Sequence, residues 1–316
     1  MRKSQNPGTS PNEDSTKSYQ FGDIDKYYIC NRVGRGKYSN VFRGKTENGQ
    51  LCVIKVLKPV RPDRIQREIN ILRRMRGAPN TSQLLDVVSD KDTKSIALIL
   101  DWSKNVPIRT ILRHLTTVQI STYIYKVLQS LEYAHSHNIM HRDVKPGNIM
   151  FDPDTLTVSL IDWGLAEEYQ PDREYLVRVA TKHYKGPELL LGYTKYDTSL
   201  DIWCLGCTFA TLLFGRIPFF KGHDNDDQVI RLGEIFGCRD IVNYVEKYSL
   251  TLPPNVATKI QKYKKKSFAS FVTEYNKDVA TPEALDLLSK MLVIDHKQRI
   301  TAVEAMKHPY FEQANI

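Results

Sequence analysis

One run constrains this chain more than any other. His141 to Asn148 read HRDVKPGN, and fourteen residues past Asn148 comes Asp162, in LIDWGLA. Asp143 can orient a hydroxyl and accept its proton. Lys145 can neutralise charge on a transferring phosphoryl group, and Asn148 can hold a metal together with Asp162. A polar loop after a helix would have to supply all five specified residues (His141, Arg142, Asp143, Lys145, Asn148) by chance. The interval to Asp162 suits a hairpin that returns to the same site. Asp plus Asn is an oxygen donor set, which suits Mg²⁺ rather than a His/Cys metal. Trp163 follows the acid directly, and its indole N–H can donate a hydrogen bond that holds Asp162 in place.

Other stretches are weaker alone. GRGKYSNV, Gly34 to Val41, has two glycines that let backbone approach a phosphate, and a glycine-containing hairpin explains it equally well. No G-K-[ST] follows it, and the next element is a strand, so neither the P-loop nor the dinucleotide pattern applies. Lys55 stands in the apolar strand CVIKVL, where a lysine needs a partner; Glu68 in REINIL can hold it and offer it to phosphates. Glu188 in KGPELLLG wants a buried cation, for which Arg299 is available, and Asp201 is placed to cap the HRD loop. Cys204 and Cys207 form a C-x-x-C inside a nearly continuous apolar run, which reads as buried helix thiols rather than a redox or metal pair. His135 and His137 with His141 suggest a metal only weakly, since the first two close a helix.

The surrounding pattern is α+β. Residues 27–57 read as strands with turns at Gly34–Gly36 and Asn48–Gly49. Ile65, Ile69 and Leu72 mark a helix, and short strands follow near Gln83–Val88 and Ser95–Leu100. Beyond NVPIRT the chain turns helical. Thr281-Pro282-Glu283 and the Thr301/Glu304 pair have the form of helix starts. The expected organisation is a tail over 1–20, disordered until about Tyr19; a small antiparallel β lobe with one helix over 21–103; and a larger α-helical lobe over 104–316. The N-terminus lacks the apolar core of a secretory signal, and no run of eighteen apolar residues exists to cross a membrane.

Together these motifs resemble the bilobal eukaryotic protein-kinase fold over about Tyr27 to Phe311. More narrowly they resemble the catalytic (alpha) subunits of casein kinase II, through GRGKYS, IMHRDVKP, LIDWGLAE, EYLVRVAT, KGPELL and GHDNDDQ. Asp-Trp-Gly combined with Gly-Pro-Glu is the close signature. The resemblance implies a Ser/Thr kinase that uses Mg²⁺ with ATP, and GTP as well, and acts on residues followed by acids. It implies Asp143, Lys145, Lys55 and Glu68 as catalytic and Asn148 and Asp162 as metal ligands. Val33, Gly34, Arg35, Gly36, Lys37, Tyr38 and Ser39 would lie over the phosphates. Val41, Val53, Leu100, Asp101, Trp102, Ser103, Met150 and Ile161 would line the adenine pocket. Arg178, Lys182 and Lys185 would read the substrate acid. A regulatory beta subunit, if bound, would meet Ile29, Phe42 and Val56. Leu100 stands where the family has Phe, and Gly147 where His is usual. Pro62 and Asp63 interrupt the family's basic run.

The net charge of +9 favours an anionic partner. Acidic protein substrates fit it, with polyanions as competitors; a specific nucleic-acid reader is not expected, because no recognition module is present. Arg61, Arg64 and Arg67 recur at every third position and read either as a second acid-binding group or as a solvated helix face. Lys262 to Ser267, KYKKKS, reads first as a solvated face, with nuclear import or polyanion docking as the alternative. Nucleus and cytoplasm are the expected compartments. Between Asp162 and Glu188 the hydroxyl-bearing residues are Tyr169, Tyr175, Thr181 and Tyr184. Thr181 is close enough to Gly186-Pro187-Glu188 to line a substrate groove, so activity is expected without phosphorylation of this segment.

Overall fold

The computed structural model describes residues 21–59 and 61–314; the expected N-terminal tail lies outside the described residues. The chain forms two compact units, one of Met1–Pro59 and Leu85–Ile99, the other of Val60–Leu84 and Leu100–Ile316.

The first unit is built on a five-stranded sheet, ordered β1-β2-β3-β5-β4. Its strands are β1 (Tyr27–Arg35), β2 (Ser39–Thr46), β3 (Leu51–Leu57), β4 (Leu84–Ser89) and β5 (Ile96–Asp101). β1, β2 and β3 form an antiparallel meander. Alternation buries Cys52 and Ile54 of β3 with Val88, Ala97 and Ile99, while Phe42 and Val56 pack at the margin of this cluster. The first glycine turn differs from expectation. β1 runs on through Gly34 to Arg35, and the ladder slips between Arg32 and Gly34. The reversal falls after Gly36, whose N–H donates to the Ser39 carbonyl at 2.8 Å. Gly34 instead sits at the slip opposite Val41, where an added Cβ would stand 3.4 Å from Val41 Cβ, so glycine suits a bulge there.

The second unit is mainly helical. α1 (Pro62–Arg74) buries Glu68, Ile69, Ile71 and Leu72. α2 (Thr117–Ser136) starts from a capping box between Thr116 and Gln119. α3 (Ser199–Phe214) is buried at every position after Ser199 and forms the centre of the unit. α4 (Asn225–Lys247) is interrupted at Gly237; its Asp224 N-cap had drawn no helix from the sequence. α5 (Pro282–Met291) and α6 (Ala302–Met306) begin at Thr281 and Thr301 as their capping residues predict. Among the described residues no helix is long and apolar enough to cross a membrane.

Candidate active site

The HRD loop follows β6 (Ile139–Met140) and is held from below by α3. Asp201, fully buried in the first turn of α3, accepts the His141 N–H at 2.8 Å and the Arg142 N–H at 2.7 Å, with His135 Nε2 at 3.0 Å. Burial pushes its carboxyl up, but these donors outweigh burial and bring it below the usual range. They fix Arg142 at φ +65°, a conformation costly for a side-chain-bearing residue. His141 has two backbone partners. The Ile161 carbonyl at 3.1 Å from Nε2 can only accept, and the Asp143 N–H at 3.2 Å from Nδ1 can only donate. The ring is therefore the Nε2–H tautomer.

Asp143 is buried, and every partner it has is polar. Its Oδ2 accepts from Lys145 Nζ at 2.6 Å and Asn148 Nδ2 at 3.0 Å; its Oδ1 accepts from the Thr181 hydroxyl at 2.7 Å. Lys145 Nζ also donates to Thr181 Oγ1 at 2.6 Å. Asn148 spends its amide N–H groups on the carboxylate and carbonyl of Asp143, and its Oδ1 accepts no hydrogen bond among the described residues. That leaves a fixed neutral oxygen of the kind Mg²⁺ takes.

Asp162 is brought back by the hairpin of β7 (Ile149–Asp152) and β8 (Thr157–Leu160), which the Ile161 N–H closes on the Asn148 carbonyl at 2.9 Å. Asp162 itself sits at φ +63°. A Cβ on Gly164 would lie 3.1 Å from Glu68 Oε2 and 3.3 Å from Asp162 Oδ1. The two carboxylates thus converge on this peptide, and glycine leaves them room. Trp163 between them is core: it is buried and sets its ring edge-on to His141, centroids 4.6 Å apart. Its Nε1 has no hydrogen-bond partner among the described residues, which corrects the expectation that the indole N–H holds Asp162. Packing, not hydrogen bonding, is its contribution. Trp163→Phe is accordingly expected to leave kcat within about twofold and to lower thermal stability through lost contacts; a drop in kcat with unchanged stability would contradict this.

In the first unit, Val41 pairs with Lys55 across β2 and β3, and Val53 lies two residues from Lys55, so the three share one sheet face. Lys55 is buried. Gly36 to Ser39 form the β1–β2 reversal, where Lys58 Nζ binds the Gly36 carbonyl at 2.6 Å; Val33, exposed, and Gly34 precede it on β1. In the second unit, Leu100 is buried, Asp101 to Ser103 are partly buried, Met150 lies on β7 opposite Ser159, and Ile161 follows β8 directly. Burial raises the Asp101 carboxyl, which accepts the Gln83 N–H at 2.7 Å.

The basic residues differ in their freedom. Arg178 is exposed, while Lys182 Nζ binds the His223 carbonyl at 2.6 Å. Burial first, and then the Arg178 guanidinium, lowers the Lys185 amine below the ordinary lysine range. Arg61 stands exposed at the N-cap of α1, Arg64 is half-buried and engaged in an interaction of its own, and Arg67 is bound to Glu167 at 2.7 Å. Arg299 meets Glu188 through two bonds of 2.7 Å, both side chains fully buried, as the sequence led us to expect. Cys204 and Cys207 are buried thiols whose ionisation burial suppresses. Among the described residues no group of three or more His, Cys, Asp or Glu side chains could hold a metal ion. Sequence reading missed Glu167, because its partners come from distant parts of the chain. It also missed the hydrogen bond of Thr181 to Asp143. A family model of the protein kinase domain matches residues 27–311 of this chain.

Proposed function

The chain belongs to the protein kinase family, and from that premise we propose a Ser/Thr kinase of the casein kinase II catalytic-subunit type, active without phosphorylation of its own segment and directed to hydroxyls followed by acidic residues. The family uses ATP with Mg²⁺; GTP is the proposed second donor. One observation carries the Ser/Thr reading. The Asp143 carboxylate, steadied by Lys145 and Asn148, already accepts an aliphatic hydroxyl, that of Thr181, at 2.7 Å. A substrate Ser or Thr would present the same group to the same acceptor. Asn148 and Asp162 would hold Mg²⁺, which when bound supplies charge neutralisation at the phosphates. Lys145 would offset charge on the transferring group, Lys55 would bind phosphate, Glu68 is proposed as the further catalytic carboxylate, and the Gly36–Ser39 reversal would bind phosphate through its backbone.

The acidic preference is supported by the activation segment. Burial and the neighbouring Arg178 guanidinium disfavour the Lys185 charge, and an anion beside it would relieve this. Lys182 would join them, with Arg61 and Arg64 farther along the peptide. Arg67 would have to leave Glu167 to take part. Heparin-like polyanions would compete for the same surface. Tyr28 and Ile29, exposed on β1, support docking of a regulatory beta subunit there.

Lys185→Glu is expected to reduce kcat/KM on an Asp-containing peptide about tenfold or more, since a shielded charge-assisted contact is worth about 1.5–3 kcal/mol. The Ala peptide should change little. The pH dependence has a definite sign. A lysine whose amine is lowered is charged below its pKa and neutral above it. Preference for Asp over Ala should therefore fall as pH rises, and begin to fall below the ordinary lysine value of about 10.4. Equal rates for Asp and Lys peptides would refute the acidic preference and leave the kinase assignment standing.

A further inference from the structure

In the whole sequence Ser89 is the one serine or threonine with an acid both directly after it, Asp90, and three residues after it, Asp92. Two other hydroxyls, those of Thr46 and Thr273, precede a glutamate directly, and both are engaged. Thr46 Oγ1 accepts the Gln50 N–H at 3.2 Å, and Thr273 Oγ1 donates to Asn276 Oδ1 at 3.3 Å. Thr301 stands three residues before Glu304 but is held in a capping box with it. The Ser89 hydroxyl makes no hydrogen bond among the described residues.

Its place in the fold leaves it within reach of another molecule. Ser89 ends β4, the edge strand of the sheet in the first unit. Gly22 covers that edge only as far as Val88, through a short parallel bridge whose N–H donates to the Val87 carbonyl at 2.9 Å. Ser89 lies just past this cover, on extended backbone, and is half-buried. The turn that follows is held by few bonds. The Asp90 N–H meets the Ser95 carbonyl at 2.9 Å, the Lys94 N–H meets the Asp90 carbonyl at 3.0 Å, and the Asp90 carboxylate accepts from the Thr93 N–H at 2.6 Å and hydroxyl at 2.7 Å. Lys91 to Lys94 are exposed, so no core is lost when this turn opens.

We propose that Ser89 is a self-modification site, phosphorylated by a second copy of this chain. The proposal rests on the acid-directed Ser/Thr kinase reading above, and it follows from the same preference: Asp90 supplies the acid after the target and Asp92 the one farther along. The Ser89 oxygen bonds to the γ-phosphorus of ATP as the bond from that phosphorus to the bridging oxygen breaks. ADP leaves with the electron pair, and the hydroxyl proton passes to Asp143 of the acting copy. The product carries about −1.5 to −2 charges more at the sheet edge, beside Asp90 and Asp92, which makes this turn an anionic cluster.

The test uses full-length chains after phosphatase treatment. The acceptor is Asp143→Asn, whose own turnover is expected to be lower by about a hundredfold or more. The donor is a small amount of affinity-tagged wild type, with γ-labelled ATP and Mg²⁺, and the labelled residue is located by peptide mass mapping. Label is expected at Ser89 of the acceptor, with an initial rate that rises with acceptor concentration. Ser89→Ala in the acceptor should remove it. Asp92→Lys, a change to an exposed side chain, should slow it about tenfold. In the wild-type background Ser89→Ala should label an added acidic peptide within about twofold of the native rate. No label at Ser89 of the acceptor while the added peptide is labelled would overturn the proposal, as would label confined to the donor copy or a rate indifferent to Asp92→Lys. A donor that labels neither the acceptor nor the added peptide would instead overturn the kinase reading beneath it, and the proposal with it.

Discussion

Asp143→Asn is expected to slow phosphoryl transfer by about 10²–10⁴-fold, the range for loss of a general base. Asparagine has nearly the same volume, so the buried site keeps its packing. What changes is the hydrogen-bond polarity. In the native site both oxygens accept, from Lys145 and Asn148 on one side and Thr181 on the other. One of those acceptors becomes an NH₂ group that faces donors, and the remaining amide oxygen takes up no proton. Arg142 and His141 stay anchored to Asp201, so the loop should hold its course. The measurements are kcat with saturating ATP, nucleotide affinity and the melting curve. A large fall in kcat with the other two near wild type is the expected pattern. Turnover near wild type would remove Asp143 from the role given to it.

The second large effect concerns stability. Arg299→Ala should destabilise the protein by about 3–5 kcal/mol, because it strands the Glu188 carboxylate in the core. Arg299 donates to both Glu188 oxygens at 2.7 Å and to the carbonyls of Val293, Ser199 and Ile294. Its guanidinium also lies over the Trp203 ring, 4.9 Å from the centroid. Burial opposes its charge, yet Glu188 more than compensates and raises its pKa further. Urea denaturation checks this: the midpoint should fall with the slope unchanged. A loss below about 1 kcal/mol would mean that the pair contributes no more than an exposed one.

Much of this was legible in the sequence because the signals are local. The HRD loop and the Asp-Trp-Gly turn are contiguous, and the fourteen-residue return from Asn148 to Asp162 is one hairpin. The Thr281 and Thr301 caps depend only on their own first turns. What escaped was set by tertiary contact. No spacing rule pairs Glu167 with Arg67, a hundred positions away. Nor could the sequence show that the Trp163 N–H would go unmatched, since that depends on which side of the ring faces the His141 edge. Gly186 gains its reason only from the fold: a Cβ there would meet the Glu188 carboxylate at 2.5 Å, against a group that Arg299 holds still. The placement of Gly34 within β1 was hidden because a bulge and a turn use the same residue for different reasons.

The central claim is phosphoryl transfer to an aliphatic hydroxyl in an acidic setting by a protein that carries no phosphate of its own. Its most direct test gives phosphatase-treated chain, with γ-labelled ATP and Mg²⁺, a matched set of peptides presenting Ser, Thr or Tyr before Asp, Ala or Lys. The account predicts label on Ser and Thr, fastest before Asp and slowest before Lys, with the margin shrinking as salt rises. Label on Tyr alone, or incorporation indifferent to the following charge, would contradict it.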